Sequence, residues 1–350
     1  MINILVVGPV PPPVDGRALV TSWLIQRTRD AGNHVDVVNT HVNAIWKALR
    51  CLHIALAMMC GRAPDRIVVI ASGEAGLVIE AVALTASRLR RVPTSLMHHS
   101  AHYVRDNSNF LRLAIVAGGP SMRHVVLDEH MGTALAARYR IDPDRIVVVD
   151  NAGLMPLPKA APSPAVRSGV VHLSNLSVAK GLHAVLEVAD RTSVSVRLIG
   201  SVAPEIASIL DDARRRGVPF EAIGPRHGEE KLAELSRARC FLLLSSYHHE
   251  AQPLVVYEAV SMGCIPIVWR TGWISEQMHR LGLGAYVLEP GDIDGVARLV
   301  SDITMMDAAA FETLSRRARA AFAIHHNATM EQFEAAIADD ATTRRSDHRV

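Results

Sequence analysis

Short apolar runs alternate along this chain with longer stretches in which apolar residues recur every three or four positions. The runs Ile2–Val7 and His34–Asn39 predict strands, and the stretch 17–31 between them predicts a helix. Gly32 follows that helix at the position where glycine commonly ends one. Further strands are predicted at Ile67–Ile70, Ser95–His98, Val125–Leu127 and Arg145–Val149, with helices near 75–90 and 130–139. Such strand–helix alternation is typical of parallel sheets.

The same alternation restarts after a proline-rich segment. Residues 156–168 contain four prolines and few core-forming residues, so we predict a linker between domains 1–155 and 169–326. The second half shows predicted strands at 170–173, 194–199, 220–223, 240–244 and 265–269, helices at 180–190 and 253–262, and a helical tail at 306–338. The expected class is α/β, with two Rossmann-like, doubly wound parallel sheets, and helix 327–340 is expected to pack back on the first domain. Ligands of such sheets bind beyond the carboxyl ends of the strands.

Charge and cysteine content narrow the classes of function. The net charge is +2 with histidine neutral, which disfavours a nucleic-acid binder. The four cysteines are scattered, so neither a zinc cluster nor a disulfide framework is expected, and a reducing cytoplasm fits. No apolar run reaches about 18 residues, the length of a membrane-spanning helix. The segment 45–59 favours a packed helix, with an interfacial membrane helix as the alternative. The basic clusters 88–91 and 214–216 favour solvated helix ends, with contact to an anionic membrane surface or an anionic acceptor as the alternative.

Two glutamates lie eight positions apart after the predicted strand 240–244. Glu250 lies in the loop, and Glu258 lies inside the following helix. The free N–H groups of Leu254 and Val255 at the helix start would bind an anion such as a diphosphate. Carboxylates accept hydrogen bonds from hydroxyls, so Glu258 is expected to bind a ribose and Glu250 a donor sugar. Two unrelated glutamates, one solvated and one supporting the helix, are the alternative.

A second element follows the first strand of the second domain. It ends in Lys180-Gly181 and opens a helix. An ammonium group beside a helix start suits a leaving phosphate. Taken alone, a surface lysine is the more common interpretation of such a sequence.

Together these elements resemble glycosyltransferase family 4, the large GT-B family of retaining sugar transferases within glycosyl transferases group 1. Its E-x7-E motif corresponds to Glu250 and Glu258, and its Lys-Gly element to Lys180-Gly181. Its small–Gly–x–Pro ending corresponds to Ser261–Pro266. Asn151 lies where the family commonly has Asn-Gly at the end of its first domain, although here Ala152 precedes Gly153. The resemblance covers nearly the whole chain and implies two Rossmann-like domains facing a cleft.

The chain departs from the family pattern near the phosphates. Many members have arginine five residues before the lysine, where this chain has Asn175. Because Asn175 carries no charge, diphosphate binding is expected to depend more on Lys180 and the helix start, or on Arg226 in the Gly224-Pro225-Arg226 loop. After Glu250 the chain reads Ala-Gln-Pro where members read Gly-Phe-Gly, which leaves the donor sugar open.

In the first domain the resemblance points to two loops. Gly16 corresponds to a glycine in the turn after the first strand, which faces the phosphate and the acceptor. His99 corresponds to a histidine near the reacting sugar, and His98 is the second choice, with the alternative that one of the two is a core residue. The acceptor side is assigned to His98, Arg17 and Asn151.

The resemblance implies a retaining transferase that moves a hexose-type sugar from a nucleotide-diphosphate sugar to a saccharide or lipid-linked acceptor. Surface polysaccharide or glycolipid synthesis is the expected setting. The expected location is the cytoplasm, peripheral to the inner face of the membrane. No metal or other cofactor is expected. A metal site built from His98, His102 and the pair His248–His249 is a minor alternative.

Three other functions are alternatives to sugar transfer. A dehydrogenase is disfavoured because the first strand is not followed by Gly-x-Gly-x-x-Gly. A nucleotide-sugar epimerase would use the same nucleotide contacts with different acid–base residues. A catalytically degenerate GT-B scaffold stays open because of Asn175.

Overall fold

The computed structural model describes residues 1–61, 63–73, 75–158 and 167–347, with side chains described up to residue 333. The chain divides into two compact units. Unit 1 comprises Met1–Pro156 and Asn327–Val350, and unit 2 comprises Leu157–His326. This division falls within the predicted linker 156–168, of which residues 159–166 lie outside the described residues.

Unit 1 contains a six-stranded parallel sheet in the order β2-β1-β3-β4-β5-β6. Its strands are β1 (Asn3–Gly8), β2 (His34–Asn39), β3 (Arg66–Ile70), β4 (Thr94–Met97), β5 (Arg123–Val126) and β6 (Ile146–Val148). Its helices are α1 (Gly16–Asp30), α2 (Ala44–Cys60), α3 (Gly76–Leu89), α4 (His102–Arg105), α5 (Asn109–Gly118), α6 (Glu129–Tyr139) and α7 (Asn151–Leu154). All four residues of β4 are buried, as expected for a strand covered on both faces.

Unit 2 contains a second six-stranded parallel sheet in the order β12-β11-β10-β7-β8-β9. Its strands are β7 (Val170–Leu173), β8 (Val196–Ile199), β9 (Phe220–Ala222), β10 (Cys240–Leu243), β11 (Ile265–Trp269) and β12 (Val287–Leu288). Its helices are α8 (Leu182–Thr192), α9 (Pro204–Arg215), α10 (Gly228–Arg237), α11 (Leu254–Ser261), α12 (Ile274–Arg280), α13 (Ile293–Met305) and the first part of α14 (Ala308–Asp347). Strands β10 and β11 are fully buried and form the centre of the core.

Each sheet reverses its strand order at one place. In unit 1 the chain runs from β1 outward to β2 and then returns to add β3 on the other side of β1. In unit 2 it runs from β7 to β9 and then adds β10 on the other side of β7. The loops after the two strands at such a switch point diverge and leave a crevice at the carboxyl ends.

The predicted α/β class with two doubly wound parallel sheets is confirmed. Two predicted helices differ from the observed bounds by two residues or more. The helix predicted from Lys180 begins at Leu182, because Gly181 has φ +81° and cannot lie inside a right-handed helix. The tail predicted as helical over 306–338 corresponds to α14, which begins at Ala308 and continues to Asp347. Among the described residues, no helix combines the length and the apolar character needed to cross a bilayer.

Candidate active site

The loops that follow β7 and β10 place Lys180 and Glu250 at the switch point of unit 2. Both strands are parallel neighbours, so their carboxyl ends meet at one edge of the sheet. Lys180 Nζ forms an ion pair with Glu250 Oε1, and the two side chains are 30% and 12% exposed. Both residues are predicted from the sequence, Lys180 beside a phosphate and Glu250 beside a sugar. The structure brings them into direct contact.

Two further side chains surround this ion pair. The ring of Tyr247 lies with its centroid 5.2 Å from Lys180 Nζ, within the range of a cation–π contact. Ser245 Oγ lies 3.4 Å from Glu250 Oε1 and 3.2 Å from the carbonyl oxygen of Ala179. The cation and the carboxylate are therefore held together at the mouth of the crevice, where a polar ligand could exchange with either.

Helix α11 follows the loop that carries Glu250 and contains the second glutamate of the motif, Glu258. Pro253 occupies the position before the helix, and the N–H of Val256 donates to its carbonyl oxygen at 3.2 Å. The N–H groups of Leu254 and Val255 therefore precede the first bond of the helix, where an anion is favoured. Glu258, one turn on, pairs with Lys231 Nζ at 2.5 Å, and its side chain is 7% exposed.

Two glycines fix the path of the loops that carry the ion pair. Gly181 has φ +81°, and a Cβ there would lie 1.8 Å from the carbonyl oxygen of Leu244. Gly272, with φ +58°, follows β11, and a Cβ there would lie 1.7 Å from the carbonyl oxygen of Glu250. Backbone atoms cannot give way as a side chain does, so only glycine fits at either position.

The residues predicted beside the diphosphate lie on the neighbouring loops. Asn175 is exposed after β7, and its Oδ1 accepts a hydrogen bond from Ser201 Oγ at 3.1 Å. Gly224 and Arg226 follow β9, and the Arg226 guanidinium donates to the carbonyl oxygen of Pro225 at 3.3 Å. All of these loops leave the same carboxyl edge of the sheet.

His172 links β7 and β10 directly beneath the ion pair. It is fully buried; its Nδ1 donates to the carbonyl oxygen of Leu242 at 2.9 Å, and its Nε2 lies 2.8 Å from Ser174 Oγ. Because the carbonyl can only accept, Nδ1 carries the proton and the hydroxyl donates to Nε2. The pKa of His172 is lowered from 6.5 to about 4, chiefly by burial. The hydrogen bond to Leu242 raises the pKa, and the positive charge of Lys180 lowers it.

We predict that His172 makes unit 2 less stable in mild acid. The folded state holds the ring neutral, with a pKa of about 4, whereas the unfolded chain protonates at 6.5. Stability is therefore complete above the unfolded pKa and falls as the pH drops from 6.5 toward 4. The loss between pH 7 and pH 5 amounts to about 2 kcal/mol for this one residue. Urea unfolding at both pH values should show a smaller pH dependence for His172→Gln, whereas exposed His183→Gln should match the wild type. An unchanged pH dependence in His172→Gln would contradict the buried neutral ring.

Unit 1 has its own group of polar residues at the carboxyl edge of its sheet. Asp15 caps α1 through a bond from the N–H of Ala18 at 2.8 Å, and Gly16 and Arg17 begin the helix. His99 follows β4, and its buried Nε2 has no hydrogen-bond partner among the described residues. Burial, and after it the positive charge of Arg17, lower the pKa of His99 to about 4 against the opposing effect of Asp15. A neutral ring with an unsatisfied nitrogen is suited to a ligand hydroxyl.

Two residues assigned to the acceptor side are buried in unit 1. His98 has no exposed surface; its Nδ1 lies 3.2 Å from Tyr103 Oη and its Nε2 lies 3.0 Å from His124 Nδ1. The predicted direct contact of His98 with an acceptor is therefore corrected to a core role, and the same two contacts exclude His98 as a metal ligand. Asn151 is 3% exposed at the start of the short helix α7, and its predicted contact with an acceptor stays a prediction.

Four residues of this region were missed by sequence analysis: Lys231, Tyr247, His172 and Gly272. A lysine within a polar helix such as α10 is usually solvated, so Lys231 gave no signal. His172 lies inside an apolar strand, where a single histidine is more often a core residue. Only Gly272, a glycine just after a strand, could have been singled out, because such positions often mark a close backbone approach.

Part of the chain matches a known protein family. Residues 162–321 match the sequence model of the family Glycosyl transferases group 1. None of the curated proteins matches the chain.

Several solved structures resemble the whole chain. HepE of Anabaena, in complex with UDP-glucose, is 17% identical with a TM-score of 0.73, over 97% of this chain and 100% of that chain. A glycosyltransferase from Rickettsia africae ESF-5 is 12% identical with a TM-score of 0.71, over 97% and 98%. The apo form of WaaB, a lipopolysaccharide outer core galactosyltransferase, is 14% identical with a TM-score of 0.66, over 96% and 99%.

At these sequence identities the similarity establishes the fold. The predicted GT-B class is confirmed, since each unit has the parallel α/β sheet of those glycosyltransferases over almost the full length of the chain. The family match falls within unit 2, the unit that carries Lys180, Glu250 and Glu258. The chain therefore has the GT-B fold of glycosyltransferases, and its residues 162–321 match the family of group 1 glycosyl transferases.

Proposed function

We propose that this chain is a retaining glycosyltransferase of family 4. It moves a hexose-type sugar from a nucleotide-diphosphate sugar to a saccharide or lipid-linked acceptor in surface polysaccharide or glycolipid synthesis. The observation that carries the proposal is the contact between Lys180 and Glu250 at the switch point of unit 2, next to the start of α11. It joins a phosphate-binding cation and a hydroxyl-binding carboxylate at the place where α/β sheets bind ligands.

The donor is proposed to bind along unit 2. Its diphosphate lies between Lys180 and the N–H groups of Leu254 and Val255, with Asn175, Gly224 and Arg226 on the neighbouring loops. Glu258, held by Lys231, accepts the hydroxyls of the ribose. Glu250 accepts hydroxyls of the sugar. HepE is known in complex with UDP and with UDP-glucose, which makes UDP-glucose the first donor to test.

The reaction follows a front-face course in this proposal. The bond between the anomeric carbon and the β-phosphate oxygen breaks, and the acceptor oxygen bonds to that carbon on the same face. The departing phosphate takes the proton of the acceptor hydroxyl. Lys180 stabilises the negative charge that develops on the phosphate. The diphosphate is bound by these protein groups without a metal ion, so chelation by EDTA should leave turnover unchanged.

The acceptor is proposed to contact unit 1. His99 presents a neutral ring with an unsatisfied nitrogen to a hydroxyl, and Gly16 and Arg17 begin the neighbouring helix. The proposed location is the cytoplasm, peripheral to the inner face of the membrane, where a lipid-linked acceptor would be reached. WaaB, which resembles this chain in structure, is a lipopolysaccharide outer core galactosyltransferase.

A donor screen tests the function. The purified chain is incubated with a panel of nucleotide-sugars, beginning with UDP-glucose, and release of nucleoside diphosphate is measured with and without saccharide acceptors. We expect release with at least one donor. The anomeric configuration of the product, read by proton NMR, tests retention. Inversion would contradict the mechanism without removing the transferase activity.

The same screen separates the alternatives. An epimerase would convert one nucleotide-sugar to its isomer and release no nucleoside diphosphate. A degenerate scaffold would bind a donor, as measured by calorimetry, and neither release nor isomerise it. Either outcome would overturn the proposed transferase.

Lys231 is predicted to act on donor affinity through Glu258. Its removal leaves a nearly buried carboxylate without its cation, so the ribose contact is weakened. We expect Lys231→Ala to raise KM for the donor by roughly tenfold, the usual loss for a charged hydrogen bond, with a much smaller change in kcat. Lys231→Arg should recover most of the affinity, and exposed Glu229→Ala on the same helix should have no effect. A loss confined to kcat would contradict this role.

A further inference from the structure

Helix α2 carries a wide apolar face that no other described part of the chain covers. The side chains on this face are large and at least 48% exposed: Ile45, Trp46, Leu49, Leu52, Leu56 and Met59. The opposite face packs inward through Cys51, Ile54 and Met58. Packing within its own domain does not account for the large apolar residues that this helix exposes.

The two neighbouring helices extend this surface. Helix α3 packs against both α2 and α5. On α3 the exposed large apolar residues are Val78, Val82 and Leu89, and on α5 they are Phe110, Leu113 and Val116. These three helices carry twelve of the twenty large apolar side chains that are exposed in the described part of the chain. We call this surface the α2–α3–α5 face.

The exposed charges on these three helices have one sign. The three helices contain a single acidic residue, Glu80, which is fully buried and pairs with Lys47 at 2.7 Å. The exposed charged side chains on and directly after these helices are Arg88, Arg90, Arg91 and Arg112. An apolar surface with arginines and no exposed carboxylate on its helices is complementary to an anionic partner.

We propose that the α2–α3–α5 face docks on an anionic lipid bilayer. The large apolar side chains enter the boundary between headgroups and acyl chains, and the arginines bind lipid phosphates. This inference rests on the peripheral location in the proposed function and names the surface and the lipid chemistry that produce it. It does not depend on sugar transfer, so vesicle binding and turnover fail or succeed independently.

A second copy of the chain fits this face less well. In a twofold dimer the same patch meets itself, so the arginines would face arginines with no exposed carboxylate on these helices to pair with. An anionic bilayer satisfies both the apolar side chains and the arginines.

The buried contacts beneath α2 keep its outer face in place. Lys47 Nζ lies 2.7 Å from Glu80 Oε1 and 2.6 Å from Ser72 Oγ, which ties α2 to α3 and to the loop after β3. The exposed apolar residues therefore lie on a helix that is held in a fixed orientation within unit 1.

Vesicle cosedimentation of the full chain tests the proposal. Vesicles of equal parts phosphatidylcholine and phosphatidylglycerol should bind the protein, and vesicles of phosphatidylcholine alone should bind at least about tenfold less. Added salt should weaken binding to the anionic vesicles, because the arginine contribution is screened. Equal binding to both vesicles, or no binding to either, would overturn the proposal.

Two double variants separate the apolar and the charged contributions. Leu49→Gln with Leu56→Gln keeps good helix formers on α2 and should lower vesicle binding about tenfold. Arg90→Gln with Arg91→Gln should lower it by about twentyfold, and only on anionic vesicles. The matched control, Met305→Gln with Ile324→Gln, removes exposed apolar residues of unit 2 and should bind like the wild type.

Light scattering after size exclusion provides the remaining test. The wild type should be monomeric without lipid. A stable dimer that Leu49→Gln with Leu56→Gln converts to a monomer would assign the face to self-association and overturn the lipid assignment. Circular dichroism and thermal unfolding establish that each variant is folded, and the arginine variant tests the proposal if the leucine variant does not fold.

Discussion

Alanine in place of Lys180 or of Glu250 is expected to lower kcat/KM for the nucleotide-sugar by roughly 10²- to 10³-fold, the usual loss when a group that stabilises transition-state charge is removed. Lys180→Ala removes the cation at the leaving phosphate. Glu250→Ala removes the acceptor for sugar hydroxyls and also the anion that holds Lys180. Steady-state release of nucleoside diphosphate measures both.

Because the two side chains form one ion pair, their effects should not add. The double variant is expected to lose little more than the worse single variant. Glu250→Gln keeps a hydrogen-bonding oxygen without its charge and should fall between the wild type and Glu250→Ala. Glu187→Ala removes an exposed glutamate of unit 2 and serves as the control. Near-normal turnover in both single alanine variants would remove this ion pair from the proposed active site.

Gly181→Ala is expected to destabilise unit 2 and to abolish most activity. The left-handed backbone disfavours alanine by about 1–2 kcal/mol. In addition, a Cβ would lie 1.8 Å from the carbonyl oxygen of Leu244, so the loop bearing Lys180 must move. We expect the unfolding temperature of unit 2 to drop by about 5–10 °C, measured by differential scanning calorimetry.

Gly217→Ala is the matched control for this experiment. Gly217 has φ +77°, close to that of Gly181, but a Cβ there meets nothing within 4 Å. It should show the backbone penalty alone and keep full turnover. The difference between the two variants therefore measures the collision with Leu244. Equal unfolding temperatures and equal turnover in the two variants would contradict this prediction. They would show that the loops bearing Gly181 and Leu244 move apart without loss of stability or activity.

Sequence periodicity was sufficient to predict most strands, because each parallel strand is a short apolar run bounded by polar loops. Strands such as Val170–Leu173 and Ile265–Trp269 were predicted with the observed bounds. The start of α8 was misplaced by two residues because lysine is a good helix former, and the sequence does not give the backbone angles of the glycine that follows it. The positive φ of Gly181 arises from the close approach of the loop after β10, which is a long-range contact.

The contacts among site residues could not be predicted for the same reason. His98 and His99 are adjacent and follow β4, whose residues are all buried, so alternation of apolar and polar positions could not tell which ring points into the core. The partners of the two glutamates, Lys180 and Lys231, lie 70 and 27 residues away in sequence. Such pairings depend on the sheet order, which places β10 beside β7.

The glycine contacts of Gly181 and Gly272 also bear on laboratory evolution of this chain. Randomised libraries at these two positions should return glycine almost alone, because any side chain collides with a backbone oxygen. Tyr247 and His248, in contrast, are exposed on the loop that follows β10, and their side chains can change without moving the backbone of that loop. Libraries that aim at a new donor sugar should therefore vary the exposed tip of the loop and keep both glycines.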